Sequence, residues 1–108
     1  MSHNVVVLDV AQPDFRQVKS YVKKNFGDIV WQQTNQQIKD KLTTIGLNPQ
    51  AGRLIDELVS LGIDNFKFRL VGQTKIVYEI LDTEVLVHMF IHSKQDFKTH
   101  LMKRLFEV

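Results

Sequence analysis

Hydrophobic positions change their period along this chain, and the changes mark its elements. Val5-Val-Val-Leu-Asp-Val10 is a short apolar run bounded by Gln12-Pro13, which predicts an opening strand. Pro13 followed by Asp14 is a helix start signal, since proline fits the first turn and a carboxylate suits the positive end of the helix dipole. Phe15, Val18, Val22 and Phe26 then recur at helical spacing until Gly27. Asp28 can cap a second helix, in which Trp31, Ile38, Leu42 and Ile45 continue an apolar stripe, with Gly46 and Pro49 ending it. Two amphipathic helices joined by so little predict an antiparallel hairpin over 13–46 packed on one face of a sheet.

After Asn48-Pro-Gln-Ala-Gly-Arg53, a turn, residues 54–61 read as one short helix or an irregular segment. The period then falls to two. Residues 66–71, 75–81 and 84–91 form three strands separated by Gly72-Gln73 and Asp82-Thr83, a three-stranded antiparallel meander. Alternation puts Phe66, Phe68 and Leu70 opposite Lys67 and Arg69. It puts Ile76, Tyr78 and Ile80 opposite Lys75, Val77 and Glu79, and Val85, Val87, Met89 and Ile91 opposite Glu84, Leu86, His88, Phe90 and His92. The pattern predicts one apolar face for the core and a second face carrying Lys67, Arg69, Lys75, His88 and His92. The final helix is amphipathic: Ser93 and Asp96 are spaced like a capping box, Phe97, Leu101 and Leu105 form its buried stripe, and Lys98, His100, Lys103 and Arg104 face solvent. The fold class is α+β, and the order is strand, helix hairpin, meander, C-terminal helix.

At 108 residues, with 44% hydrophobic and 24% charged residues, the chain is one globular domain spanning 1–108. Without cysteine it has neither disulfides nor zinc–thiolate sites, which fits a reducing cytoplasm. No apolar run reaches the ~20 residues of a membrane span, and the first residues have no signal-peptide character. The net charge of +2 is unevenly placed: residues 1–64 balance seven Lys/Arg against seven Asp/Glu, whereas residues 65–108 hold seven against five. An excess of cations on a sheet face and a terminal helix suits a phosphate backbone or an acidic partner, or is simply a solvated surface.

Histidine titrates near neutral pH unaided, which makes His88 and His92 the first acid–base candidates. Four residues apart on one strand, they share a face but stand about 13 Å apart, too far to share a metal. No metal or cofactor site is expected. A metal-free ribonuclease needs a base, a leaving-group acid and cations around the phosphorane, and Arg69, Lys75 and His92 are the candidates for that set. Tyr78 alternates onto the core face; Glu79 shares the basic face and could serve as a base, but a salt bridge to Lys75 or to a strand neighbour is the simpler account. Trp31, Ile38 and Leu42 read as core, or as a surface a partner covers if the hairpin stands off the sheet.

Taken in order, these pieces resemble the RelE/ParE superfamily of bacterial type II toxins over nearly the whole chain. The resemblance lies in the opening strand with Ala11-Gln-Pro-Asp-Phe-Arg16 and the hairpin, and in the Asn48-Pro-x-x-Gly-Arg53 turn. It continues through Glu57-Leu58, Phe66–Arg69, Lys75-Ile-Val-Tyr-Glu-Ile80 and the last strand with His92. The tail from His92 to Leu105, ending basic-basic-Leu, looks like the ParE branch. That branch implies inhibition of DNA gyrase by binding, neutralisation by a cognate antitoxin in a hetero-oligomer, antitoxin-mediated binding to operator DNA, and a cytoplasmic location. Target binding would then fall to Lys67, Arg69, Lys94, Lys98, Lys103 and Arg104. The RelE branch implies instead a ribosome-dependent mRNA endoribonuclease. Its members carry a tyrosine or histidine near the C-terminus and arginines on the sheet, whereas this chain has no tyrosine after Tyr78 and has Lys75 and Lys94 where arginine is commoner. Lysine keeps the charge but not the bidentate fork that grips phosphate. A non-toxic nucleic-acid or protein-binding module is the third reading.

Overall fold

The computed structural model describes residues 2–92 and 96–106. Strand β1 (Asn4–Val7) leads through a 3₁₀ turn (Asp9–Ala11) into α1 (Gln12–Phe26) and α2 (Asp28–Leu47). A second 3₁₀ turn (Pro49–Ala51), β2 (Arg53–Leu54) and α3 (Asp56–Val59) follow, then β3 (Phe66–Val71), β4 (Thr74–Ile80), β5 (Glu84–His92) and α4 (Phe97–Phe106). The expected hairpin, meander and terminal helix are all present. The strands form one sheet in the order β1-β5-β4-β3-β2, with β1 parallel to β5 and every other pair antiparallel.

The helix hairpin turns on Gly27, whose φ of 91° is in the left-handed region where a side chain is strained. Gly27, not Asp28, occupies the cap of α2. Asp28 is the first helical residue, and its carboxylate faces Lys23 Nζ at 3.6 Å instead of capping the chain. Val18, Val22, Trp31, Ile38 and Ile45 are buried against the sheet with Ile76, Tyr78, Val85, Val87 and Phe90. Phe15 adds edge-on contacts with Trp31 and Phe90 at 5.6 and 5.5 Å. Phe26, which the helical period assigned to this stripe, is 60% exposed because it sits at the hairpin tip, past the end of the sheet. Gly46 lies inside α2 rather than ending it. A Cβ there would stand 2.9 Å from Val5 Cγ2, so the missing side chain lets β1 pass close beside the helix, where His3 N–H donates to the Gly46 carbonyl at 2.7 Å.

The expectation of one apolar and one cationic sheet face does not hold, for two reasons. First, both faces are covered. Ile55, Leu58 and Leu101 bury Val77, Met89 and Ile91 on the side away from the hairpin, with Phe66, Phe68, Phe97 and Leu105 packed around them. Second, β5 carries a bulge. Tyr78 pairs with Val87 but Val77 pairs with Met89, so His88 has no opposite residue. An extra residue reverses the alternation beyond it. Val85 and Val87 therefore face the hairpin while Met89 and Ile91 face α4, and Phe90 joins the hairpin core.

Candidate functional site

The two covers distribute the candidate residues over opposite faces. Residues paired directly across antiparallel strands share a face. Lys67 is opposite Tyr78, Arg69 opposite Ile76 and His92 opposite Thr74, all on the hairpin side. Lys75 is on the other face, where its ammonium sits 4.1 Å from the centroid of the Phe97 ring and 5.1 Å from that of Phe68. His88, released by the bulge, also turns to this face. Its Nε2 lies 2.9 Å from Glu79 Oε1 and its ring packs 5.0 Å from that of Phe66. Glu79 is thus held by a neighbouring strand, as its simpler account required, and Asn65 Nδ2 donates to its second oxygen at 3.4 Å.

Neither the shared basic face nor the shared placement of His88 and His92 exists. Arg69, Lys75 and His92, the set proposed for phosphate cleavage, are split between two faces of a sheet filled with apolar side chains. Lys67 is also not at the surface: it is 9% exposed, with its amine directed at the Gly52 carbonyl at 3.5 Å. Arg69 is half-buried on the same side. His92 packs its ring 4.7 Å from Tyr21 of α1. Lys94, like Ser93, lies outside the described residues.

Tyr78 is core, as its alternation required. It is fully buried, and its hydroxyl donates to the Pro49 carbonyl at 2.7 Å. Burial pushes the phenol up from its ordinary value, against the opposing charge of Arg69. Gly52 must be glycine for the same contact, because a Cβ there would collide with the Tyr78 hydroxyl. The Asn48–Arg53 turn is therefore built around one tyrosine.

The remaining cations sit on α4. Asp96 opens the helix, accepting the Thr99 N–H at 3.2 Å and the Thr99 hydroxyl at 2.8 Å; these bonds hold its carboxyl below the ordinary carboxylate range. Leu101 is fully buried and Phe97 and Leu105 flank it, so the turns between them present Lys98, His100 and Lys103 to solvent. Arg104 departs from this pattern. Its guanidinium grips both Asp14 oxygens at 2.9 Å and donates to the His88 carbonyl at 2.8 Å, and the aspartate bonds raise its pKa further. Asp14 in turn accepts the Phe90 N–H at 3.2 Å. β1 ends at Val7, opposite Val87, so this ion pair occupies the edge of β5 where the neighbouring strand has stopped. Sequence reasoning took Asp14 for a helix start and Arg104 for a solvent cation. Nothing local couples two residues 90 positions apart.

Among the described residues no three His, Asp or Glu side chains converge as a metal site, and no helix is long and apolar enough to cross a membrane. No curated protein matches the chain. Among solved structures it is similar to a chain described as "Chromosomal ParDE TA system from P. aeruginosa". The TM-score is 0.69 at 10% identity, over 86% of this chain and 98% of that one, a likeness of fold. A family model, "ParE toxin of type II toxin-antitoxin system, parDE", matches residues 5–97, from the opening strand to the start of α4. The chain belongs to the ParE toxin family of type II toxin–antitoxin systems.

Proposed function

We propose that this chain inhibits DNA gyrase by binding it and is neutralised by a cognate antitoxin that folds onto it. The observation that carries the reading is the contrast between engaged and presented cations. Lys67, Lys75 and Arg104 are committed to a carbonyl, two aromatic rings and an aspartate, whereas Lys98 and Lys103 stand exposed on the outer turns of α4. A protein or protein–DNA target reads such a helix surface as summed contacts, each modest. Ribonuclease chemistry needs its groups gathered within hydrogen-bond reach of one phosphate, and Arg69, Lys75 and His92 are divided by the sheet. Arg69 and His92 act in this reading through packing on the hairpin side, and Lys94 is a further cation proposed for target binding. The antitoxin is an amphipathic segment that orders on binding, and operator DNA is bound through it.

The test is a gyrase supercoiling assay with the purified chain, alone and with the protein encoded by an adjacent short acidic reading frame. Arrested supercoiling that the second protein relieves supports the reading. Unaffected gyrase, together with codon-positioned cuts in translated messages, would overturn it in favour of the endoribonuclease.

A further inference from the structure

The presentation of Lys98 and Lys103 depends on what fixes α4, and the anchors of this helix among the described residues are not alike. Leu101 is fully buried, with Phe97 and Leu105 packed beside it. Apolar burial is non-directional, so this stripe holds α4 on the sheet without setting its rotation about its own axis. At the first turn the Phe97 ring lies 4.1 Å from the Lys75 ammonium, a contact that tolerates small shifts. Arg104, in the last turn, is the directional anchor. Its Nη1 donates to Asp14 Oδ2 at 2.9 Å and to the His88 carbonyl at 2.8 Å, and its Nη2 donates to Asp14 Oδ1 at 2.9 Å. Three bonds from one planar group fix an orientation as well as a distance.

Asp14 is itself held. It sits in the first turn of α1 and accepts the Phe90 N–H at 3.2 Å. β1 pairs with β5 only as far as Val87, where the Leu8 N–H donates to the Val87 carbonyl at 3.1 Å. The ion pair takes the backbone groups just beyond. The guanidinium donates where a strand N–H would, and the carboxylate accepts where a strand carbonyl would. The bulge sends the His88 side chain to Glu79 and leaves its carbonyl to Arg104. The side chains of Arg104 and Asp14 are 27% and 14% exposed, so salt screens this pair less than a surface one.

We infer that Asp14 and Arg104 are positioning residues for target binding: their contact locks α4 to α1 and to the edge of β5 in the rotation that presents Lys98 and Lys103. They act through the helix and do not touch the target. A helix of 10 residues is marginal on its own. With the clamp broken, α4 samples other rotations, and the target must reorder it on binding. Affinity then falls in proportion to the fraction of molecules in which the helix is correctly placed. The inference rests on the proposed function, in which the α4 cations meet gyrase.

A gyrase supercoiling titration of four full-length proteins tests it: the unaltered chain, Asp14→Asn, Lys98→Glu/Lys103→Glu, and the three substitutions combined. Asp14 lies on α1, so Asp14→Asn leaves every residue of α4 in place. Circular dichroism and Tm verify that the variant is folded, and Arg104→Lys repeats the test from the other partner. Asp14→Asn should need about 3- to 10-fold more protein for half inhibition. Added to the reversed lysines, it should cost less than about 2-fold more, because no cationic surface is left to position. Amide exchange of α4 should quicken in Asp14→Asn while the β4 and β5 amides stay protected. A loss by the same factor in both backgrounds would overturn the inference, since it marks a general loss of folded protein. So would faster α4 exchange with undiminished inhibition. If the unaltered chain leaves supercoiling unaffected, or reversing the lysines costs nothing, the target reading fails and the inference with it.

Discussion

The two faces of the sheet are covered by unequal means. On one side lie helices of 15 and 20 residues, bringing Trp31, Ile38 and Ile45 onto Tyr78, Val85 and Val87. On the other, a helix of 10 residues and the four-residue α3 cover Val77, Met89 and Ile91 through Leu101, Ile55 and Leu58. The hairpin is continuous with β1 and runs into β2 and so cannot leave without dismantling the sheet. α4 is tied to the rest by one apolar stripe, by Lys75 over the Phe97 ring, and by the bonds of Arg104 to Asp14 and the His88 carbonyl. The hairpin face should therefore set global stability, and the α4 face should open on its own.

The largest expected effect tests that division. Trp31→Ala removes a buried indole from the hairpin core and should lower the unfolding free energy by about 3–5 kcal/mol, read from urea denaturation. Leu101→Ala removes an equally buried group from the other face. Its effect should appear as faster amide exchange and easier proteolysis of α4, while the β4 and β5 amides stay protected. If instead Leu101→Ala exposes the whole sheet to exchange as Trp31→Ala does, the two faces form one cooperative unit and the comparison fails.

The clamp comes next. Arg104→Lys keeps the charge but loses the two-pronged grip on Asp14 and the bond to the His88 carbonyl, for an expected loss of about 1.5–3 kcal/mol. Asp14→Asn should act on the same contact, so the double variant should fall well short of the sum, with a coupling of about 0.5–3 kcal/mol. Simple additivity in the opening free energy of α4, read from amide exchange, would show that the pair does not hold it.

A smaller effect belongs to Tyr78→Phe, which leaves the buried Pro49 carbonyl without its donor, at about 1–3 kcal/mol. This site also gives a signed pH dependence. The folded-state pKa is raised, so the neutral phenol contributes stability that is fully present below the unfolded value of about 10 and is lost as pH rises toward the folded one. The unaltered chain should lose stability above about pH 10 more steeply than Tyr78→Phe. Parallel alkaline melting curves would remove this account of the site.

What the amino-acid pattern revealed follows the same division. The hairpin was legible because its apolar residues repeat at 3.6 within single helices, as Val18, Val22, Ile38 and Ile45 do, and no distant partner is needed to read them. The three meander strands were legible from period and turns. The rest depended on residues far apart in the chain. The bulge at His88 leaves the alternation of β5 locally intact and appears only once Val77 is set against Met89. The parallel pairing of β1 with β5 joins Asn4 to Glu84, and β2 is only two residues long. Lys67 and Arg104 looked like surface cations because the carbonyl of Gly52 and the carboxylate of Asp14 lie 15 and 90 positions away. Of the expected site, the exposed cations of α4 were readable, since its buried stripe and its exposed face are both local. Phe26 was read as core because it keeps the helical period, although it stands 60% exposed at the hairpin tip.

The most direct test of the central claim, recognition by a presented cationic helix without a catalytic group, is a gyrase supercoiling titration of three proteins side by side. These are the unaltered chain, His92→Ala and Lys98→Glu/Lys103→Glu. The account predicts that His92→Ala inhibits within a few-fold of the unaltered chain. The double α4 variant should need at least about 10-fold more protein, because two cationic contacts are reversed together. Equal inhibition by the double variant, with activity abolished in His92→Ala by the 10²–10⁴-fold factor expected of a general base, would contradict it.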